Sequence, residues 1–174
     1  WSSAYELDGD KRVAIIMAGN IPLVGFHDLI SVLISGHTAI VKMSSDDNQL
    51  LPIIIEALKK IEPNFADKIH FTEDKIENFD AVIATGSDNS AQYFEHYFGK
   101  YPNIIRKSRS SVAILDGSES EEELKGLAND VFQYFGLGCR SISKVFLPKE
   151  YDLNLLFNAF YAHKEVINNK KYVN

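Results

Sequence analysis

The feature that most restricts the fold of this chain is a βαβ unit near its start. The apolar run 12–17 is typical of a buried strand, and apolar residues then recur at helical spacing from Leu23 to Ile34. Gly36 occupies the place of a helix C-cap, and a second apolar run follows at 38–43. Two buried strands joined by a helix predict parallel pairing and a right-handed crossover.

The rest of the sequence continues this alternation of short apolar strands and amphipathic helices. We expect Pro22 to lie in the first turn of the first helix, and the cap-forming residues 44–48 to open the second. Further strands are predicted at 68–72, 79–84, 104–105, 112–115 and 143–147, and further helices after 85–88, at 120–135 and at 153–166. This order predicts an α/β fold with three αβα layers and a Rossmann-like, mostly parallel sheet.

Composition narrows the class of protein. A single cysteine among 174 residues excludes an internal disulfide and favours a cytoplasmic protein. No run of eighteen apolar residues occurs, so we expect no membrane span. The net charge of −6 without a basic stripe argues against nucleic acid as a partner. The five histidines lack metal-ligand spacing with the cysteine, so no metal site is expected.

Three polar turns, at 19–22, 42–45 and 85–88, each follow a predicted strand and precede a helix. Ligands of doubly wound sheets bind at the carboxyl ends of strands, and helix N-termini there suit phosphate. Ordinary helix capping is the better explanation of any one turn taken alone, and no Gly-x-Gly-x-x-Gly follows the first strand. Lys42 ends an apolar run, where it either extends to solvent at the sheet edge or donates to a ribose or phosphate.

The lone cysteine, Cys139, lies between a predicted helix and a predicted strand. Gly136 and Gly138 precede it, and glycines allow a tight turn and a close approach to a ligand. Backbone amides near a sulfur stabilise its thiolate. Cys139 is therefore either a nucleophile or an inert buried thiol.

The order of these pieces resembles the aldehyde dehydrogenase superfamily. Gly-Asn-Ile-Pro at 19–22 is similar to that family's Trp-Asn-Phe-Pro turn, and 35–44 is similar to its Gly-Asn-Thr-Val-Val-Leu-Lys-Pro-Ser segment. Thr-Gly-Ser at 85–87 matches its Thr-Gly-Ser turn, and 135–140 resembles its nucleophile loop. The resemblance extends from 13 to 147, and within the superfamily it is closest to the acyl-CoA reductase branch related to the bacterial luciferase-linked fatty acid reductase.

The resemblance implies roles for two residues in catalysis. Cys139 would form a thioester with the acyl group, and Asn20 would donate its side-chain amide to the substrate oxygen. It also implies a nucleotide-binding α/β domain at 1–135 and the start of a catalytic domain at 136–174. The chain begins at Trp1 and ends soon after Cys139. We therefore interpret it as an excised domain or an incomplete part of a longer protein, and we do not expect full activity from this part alone. The resemblance also implies that the whole protein can pair into a homo-oligomer.

The resemblance also implies a cofactor site. Lys42 and Ser44 would lie against the adenosine ribose, and Gly86 and Ser87 would begin the helix that faces the pyrophosphate. Where the family has a ribose-binding glutamate, this chain has Ser45, which lacks a carboxylate that would repel a 2′-phosphate. We therefore expect NADPH as the cofactor, with NADH as the alternative.

A second departure concerns the reaction. The family's Glu-Leu-Gly-Gly segment supplies the base that activates water, and its equivalent at 105–108 contains no carboxylate. The sequence therefore favours NAD(P)H-dependent reduction of acyl-CoA to an aldehyde through a cysteine thioester. The alternatives are a nucleotide-binding module without catalysis and an aldehyde-oxidising dehydrogenase.

Overall fold

The computed structural model describes residues 9–170, so Trp1 and the end of the predicted polar tail lie outside the described residues. The chain divides into two compact units, the first ending at Ser108 and the second beginning at Arg109. This division separates two compact units, whereas the boundary predicted at 135/136 separates two functions. The predicted boundary stays a prediction. Within residues 9–170, none of the helices has both the length and the apolar character that crossing a bilayer requires.

The first unit is a doubly wound α/β domain. Its strands are β1 (Arg12–Ile16), β2 (Thr38–Lys42), β3 (Ile69–Phe71), β4 (Ala81–Thr85) and β5 (Asn103–Arg106). They form one parallel sheet in the order β3-β2-β1-β4-β5, with Val13 level with both Ala39 and Ala81. The order reverses between β1 and β4, which is where such sheets bind ligands.

Helices cover both faces of this sheet. They are α1 (Phe26–Ile34), α2 (Leu50–Ile61) and α3 (Asp88–Phe98), with a short 3-10 helix at Pro63–Lys68. Successive residues of a strand point to opposite faces, so Val13 and Ile15 pack with Leu29 and Ile55 of α1 and α2. Ala14 belongs to the opposite core, where the half-buried Phe94 and Phe98 of α3 pack. The predicted α/β class, with helices on both faces of a parallel sheet, is confirmed.

The start of α1 differs from the prediction. The helix begins at Phe26, so Pro22 lies in the preceding turn. Leu23 has a left-handed backbone (φ 60°), and its N–H donates to the Asp47 carboxylate at 2.6 Å. A left-handed residue cannot continue a right-handed helix, so this bond to a distant turn delays the helix.

The start of α2 also differs. The helix begins at Leu50 after Gln49, and no residue of the polar segment 44–48 caps it. Asp47 instead accepts the Leu23 N–H, and the Ser44 hydroxyl accepts the Asp46 N–H at 3.3 Å. The cap-forming side chains are therefore used to join two turns.

The second unit contains two helices and a parallel pair of strands. Its elements are β6 (Ser111–Ile114), α4 (Glu121–Phe132), β7 (Ile142–Phe146) and α5 (Leu153–Tyr161), with 3-10 helices at Gln133–Gly136 and Lys164–Asn168. Leu124 and Leu127 of α4 pack with Leu156 and Ala159 of α5. A capping box begins α4: the Ser120 hydroxyl accepts the Glu123 N–H, and the Glu123 side chain accepts the Ser120 N–H. The helix predicted at 153–166 ends at Tyr161, because the His163 N–H bonds to the Phe160 carbonyl in a tighter turn.

Candidate functional site

The carboxyl edge of the five-stranded sheet brings the three predicted turns side by side. The strands β2, β1 and β4 are neighbours and run in the same direction. Lys42 ends β2, Asn20 follows β1, and Gly86 and Ser87 follow β4. Neighbouring strands lie about 4.8 Å apart, so these residues share one edge at the point where the strand order reverses.

The turns after β1 and β2 are packed directly against each other. A Cβ placed on Gly19 would lie 2.4 Å from the Ser44 Oγ, so only glycine fits there without movement. The Met17 N–H donates to the Lys42 carbonyl at 3.0 Å, and Leu23 is bonded to Asp47 as described above. Asn20 is exposed in this braced turn, immediately after Gly19.

Beside this contact, the ends of β2 and β3 form a cleft of about 620 Å³. Lys42, Ser44 and Ser45 line it from β2, and Phe71, Thr72 and Glu73 line it from β3. Three of the residues predicted to bind the cofactor therefore share one cleft. Sequence reasoning missed Glu73, although it follows a predicted strand and so belongs to the same edge.

Lys42 is held across the mouth of this cleft. Its Nζ donates to the main-chain carbonyl of Asp74 at 3.0 Å. An ammonium group has three N–H donors, so one bond to the protein leaves others for a ligand. The chemistry of this lining, with the hydroxyl groups of Ser44 and Ser45 and one cation, suits the polar adenosine end of a dinucleotide.

The turn after β4 caps helix α3. The Ser87 hydroxyl accepts the Ser90 N–H at 3.2 Å, so the predicted capping role of this side chain is present. A Cβ on Gly86 would lie 2.8 Å from the Ser90 Cβ, which explains the glycine. The Asp88 carboxylate accepts the Ser108 N–H at 3.2 Å. The predicted contact of Gly86 and Ser87 with a pyrophosphate stays a prediction.

The segment before Cys139 has an unusual backbone. Helix α4 ends at Phe132, three residues before the predicted end, because Tyr134, Phe135 and Gly136 are all left-handed (φ 54°, 57° and 71°). Left-handed backbone costs roughly 1–2 kcal/mol for a residue with a side chain. Two such residues in succession fix a sharp change of chain direction before the thiol.

Cys139 itself is exposed, so the alternative of a buried thiol is wrong. The Ser141 N–H donates to the Gly138 carbonyl at 3.0 Å, which closes a turn around the cysteine. A Cβ on Gly138 would lie 3.2 Å from the Ser141 Oγ, so the turn is tightly packed on that side. The loop presents a free thiol to solvent and does not bury it.

An ion pair occupies the end of β5, where the resemblance placed the equivalent of the family's general base. The Arg106 Nη1 donates to the Asp28 Oδ2 at 2.7 Å, and the Asp28 side chain is only 9% exposed. Sequence reasoning missed this pair. The signal was an acidic residue inside the apolar helical pattern of α1, since buried carboxylates are paired.

The structure brings one group of predicted residues together, whereas the members of the other group belong to different units. Lys42, Ser44 and Ser45 are brought together in one cleft. Asn20 and Cys139 belong to different units, so their cooperation stays a prediction. Within residues 9–170, histidine, cysteine, aspartate and glutamate side chains do not come together in a group of three that could hold a metal ion.

Comparison with known proteins connects this fold to acyl and aldehyde chemistry. A curated relative is the long-chain acyl-protein thioester reductase of Vibrio harveyi, 21% identical over 164 residues, covering 83% of this chain and 34% of that protein. The chain thus spans about a third of the length of this relative.

Solved structures with a similar fold include aldehyde dehydrogenases. Aldehyde dehydrogenase 21 of Physcomitrella patens has a TM-score of 0.75 at 18% identity, covering 87% of this chain and 34% of that one. The NAD+ complex of an aldehyde dehydrogenase from Bacillus cereus has a TM-score of 0.72 at 19% identity, covering 88% and 34%. At these identities the likeness shows the fold.

The family is shown by a family model that matches most of the sequence. The model of the family described as acyl-CoA reductase (LuxC) matches residues 7–156, which is most of the 174-residue chain. The strand-end turns, the cleft and the Cys139 loop all lie within the matched residues. This chain belongs to the acyl-CoA reductase (LuxC) family.

Proposed function

We propose that this chain is the nucleotide-binding and nucleophile-bearing part of an oxidoreductase that reduces an acyl thioester, in particular acyl-CoA, to an aldehyde. The observation that carries the proposal is the exposed thiol of Cys139 in its tight turn, within a chain of the acyl-CoA reductase family. The Vibrio harveyi relative is named for acyl-protein thioesters, which have the same reacting bond.

In the first step, the Cys139 thiolate attacks the carbonyl carbon of the acyl thioester. The carbon–sulfur bond to coenzyme A then breaks, and the departing thiolate takes a proton from solvent. The acyl group remains on Cys139 as a new thioester. In this proposal, the Asn20 side-chain amide and the Cys139 backbone amide donate to the negative oxygen that develops.

In the second step, the acyl group is reduced by two electrons. A reduced nicotinamide cofactor, when bound, would supply the hydride that the carbonyl carbon receives. The bond between that carbon and the Cys139 sulfur then breaks, which releases the aldehyde and regenerates the thiolate. The role of the chain is to hold the acyl carbon in place while this transfer occurs.

The cleft beside β2 is the proposed cofactor site. Lys42 and Ser44 would bind the adenosine ribose, and the amides at Gly86 and Ser87 would face the pyrophosphate. Ser45 offers no carboxylate at the position where the related dehydrogenases bind the ribose hydroxyls, which supports NADPH, with NADH as the alternative. The cytoplasmic location and a homo-oligomer of the whole protein stay predictions.

The ion pair at the end of β5 supports reduction over oxidation. Arg106 is bound to Asp28, so a cation occupies the segment where an oxidising dehydrogenase would place its water-activating base. Without that base, hydrolysis of the thioester to a free acid is disfavoured. A second candidate is a nucleotide-binding module without catalysis, which the cleft lined by Lys42, Ser44 and Ser45 would support on its own.

The test is to look for the acyl-enzyme directly. We expect incubation of the chain with acyl-CoA, without a reductant, to add the mass of one acyl group. The variant C139A should lose this adduct and, in the full-length protein with NADPH, at least about 10³-fold of aldehyde formation. S143A, which removes an exposed hydroxyl four residues away, is the matched control and should react normally.

The outcomes separate the candidates. An adduct that persists in C139A contradicts the cysteine mechanism. Nucleotide binding without any adduct favours the binding module. Formation of a free acid from an aldehyde, in place of an aldehyde from acyl-CoA, would revive the oxidising dehydrogenase.

A further inference from the structure

We propose that Glu73 determines how strongly the cleft discriminates between NADH and NADPH. This inference rests on the proposed cofactor role of the cleft and names the residue that sets its specificity. Glu73 follows β3, Ser45 follows β2, and both residues line the cleft. The two residues are distant in the sequence and share the cleft because β2 and β3 are neighbours in the sheet.

The backbone around Glu73 is fixed on both sides. The Thr72 N–H donates to the Val41 carbonyl at 3.0 Å, and the Lys42 Nζ donates to the Asp74 carbonyl at 3.0 Å. The Asp74 N–H also bonds to the Thr72 Oγ1 at 3.1 Å. Glu73 therefore stands between two anchored residues, and its position at the cleft is built into the end of the strand.

The charges lining the cleft make this position consequential. Among the described residues that line it, Lys42 is the one cation and Glu73 the one carboxylate. A carboxylate accepts hydrogen bonds from the two hydroxyls of an unmodified ribose. It repels a 2′-phosphate, which carries nearly two negative charges. Glu73 thus opposes the NADPH preference that Ser45 provides.

Removal of this charge should shift the balance toward NADPH. In E73Q, we expect NADPH to bind more tightly relative to NADH by roughly threefold to thirtyfold, the range for a unit charge partly screened by solvent. The variant D74N is the matched control, because it removes the same charge from the next residue. Its main-chain carbonyl, which Lys42 binds, is retained. The ratio should change less than about twofold in D74N.

The experiment measures dissociation constants of the full chain for NADPH and NADH by calorimetric titration. The fragments 2′,5′-ADP and 5′-AMP, which lack the nicotinamide, provide the same comparison at the ribose alone. Supporting results are a shift toward the 2′-phosphorylated member of both pairs in E73Q and little shift in D74N. Far-UV circular dichroism confirms that both variants are folded.

The other results contradict the role of Glu73, the proposed function, or both. An unchanged ratio in E73Q, or an equal shift in D74N, overturns the inference and leaves the proposed function standing. Absence of nucleotide binding by the parent chain overturns both. A shifted ratio in a chain that forms no acyl-enzyme supports the role of Glu73 and counts against the proposed reductase.

Discussion

The contact between Gly19 and Ser44 gives a quantitative test of how the site is assembled. A Cβ on Gly19 would lie 2.4 Å from the Ser44 Oγ and 2.6 Å from the Ser44 Cβ. Ordinary contacts between such atoms are about 3.5–4.0 Å, so G19A must separate the two turns by about 1 Å. The φ angle of Gly19 lies outside the left-handed region, so the effect is one of space.

The expected loss of stability is the difference between two effects. Overpacking at a site of this kind costs about 1–3 kcal/mol. Replacing glycine by alanine also restricts the unfolded chain, which stabilises the fold by about 0.4–1 kcal/mol. We therefore expect G19A to lower the free energy of unfolding by about 1–2 kcal/mol and to weaken nucleotide binding, because Ser44 lines the cleft.

Second-site variants show whether the contact is the cause. S44A removes the Oγ but keeps the Cβ at 2.6 Å, so G19A/S44A should recover little stability. S44G removes both atoms, so G19A/S44G should show a favourable coupling of about 1–2 kcal/mol in a double-mutant cycle. The assay is urea unfolding followed by far-UV circular dichroism.

G126A is the control for the alanine itself. Gly126 lies within α4, and a Cβ there would meet nothing within 4 Å. Alanine should therefore stabilise that helix by about 0.5–1 kcal/mol. Additivity of G19A and S44G within about 0.5 kcal/mol would refute the packing argument, because it would show that the two turns do not press on each other.

Two further predictions concern polar contacts. R106M should lower the free energy of unfolding in urea by about 2–3 kcal/mol, because it leaves the buried Asp28 carboxylate without its guanidinium. K107M removes one partner of an exposed ion pair and should lower it by less than about 0.5 kcal/mol. Equal losses in the two variants would contradict this reasoning. S120A should cost about 1 kcal/mol at neutral pH by removing the cap of α4. Hydrogen bonds from the backbone and side chain of Ser120 lower the pKa of Glu123, so this stabilisation is present above the ordinary carboxyl pKa and is lost as the pH falls through the lowered one. The difference between S120A and the parent should therefore shrink as the pH falls through the lowered pKa of Glu123, and a constant difference would contradict the role of Glu123.

The strands could be predicted from the sequence because their burial leaves a continuous signal. Residues 38–43 were predicted as a strand, and β2 is Thr38–Lys42. Four of its five residues are buried, and a strand covered on both faces must be apolar throughout. The signal is local, so it needs no knowledge of what the strand contacts.

The starts of α1 and α2 could not be predicted in the same way. Asp47 is a good N-cap residue, and the sequence therefore favoured a helix start at 44–48. Its carboxylate instead binds the Leu23 N–H, 24 residues away along the chain. A capping side chain can satisfy any nearby donor, and only the folded chain decides which donor is near.

The same contrast between local patterns and contacts of the folded chain explains which site residues could be predicted. Lys42, Ser44 and Ser45 are adjacent in sequence, so one motif was sufficient to predict that they act together. Glu73 joins them only because β3 lies beside β2, and the strand order is not contained in either local pattern. Position 45 alone therefore predicts a cleft without a carboxylate, whereas Glu73 contributes one from the end of β3. Cofactor preference in such a sheet depends on the total charge at the edge, and this requires the residues after every neighbouring strand to be counted.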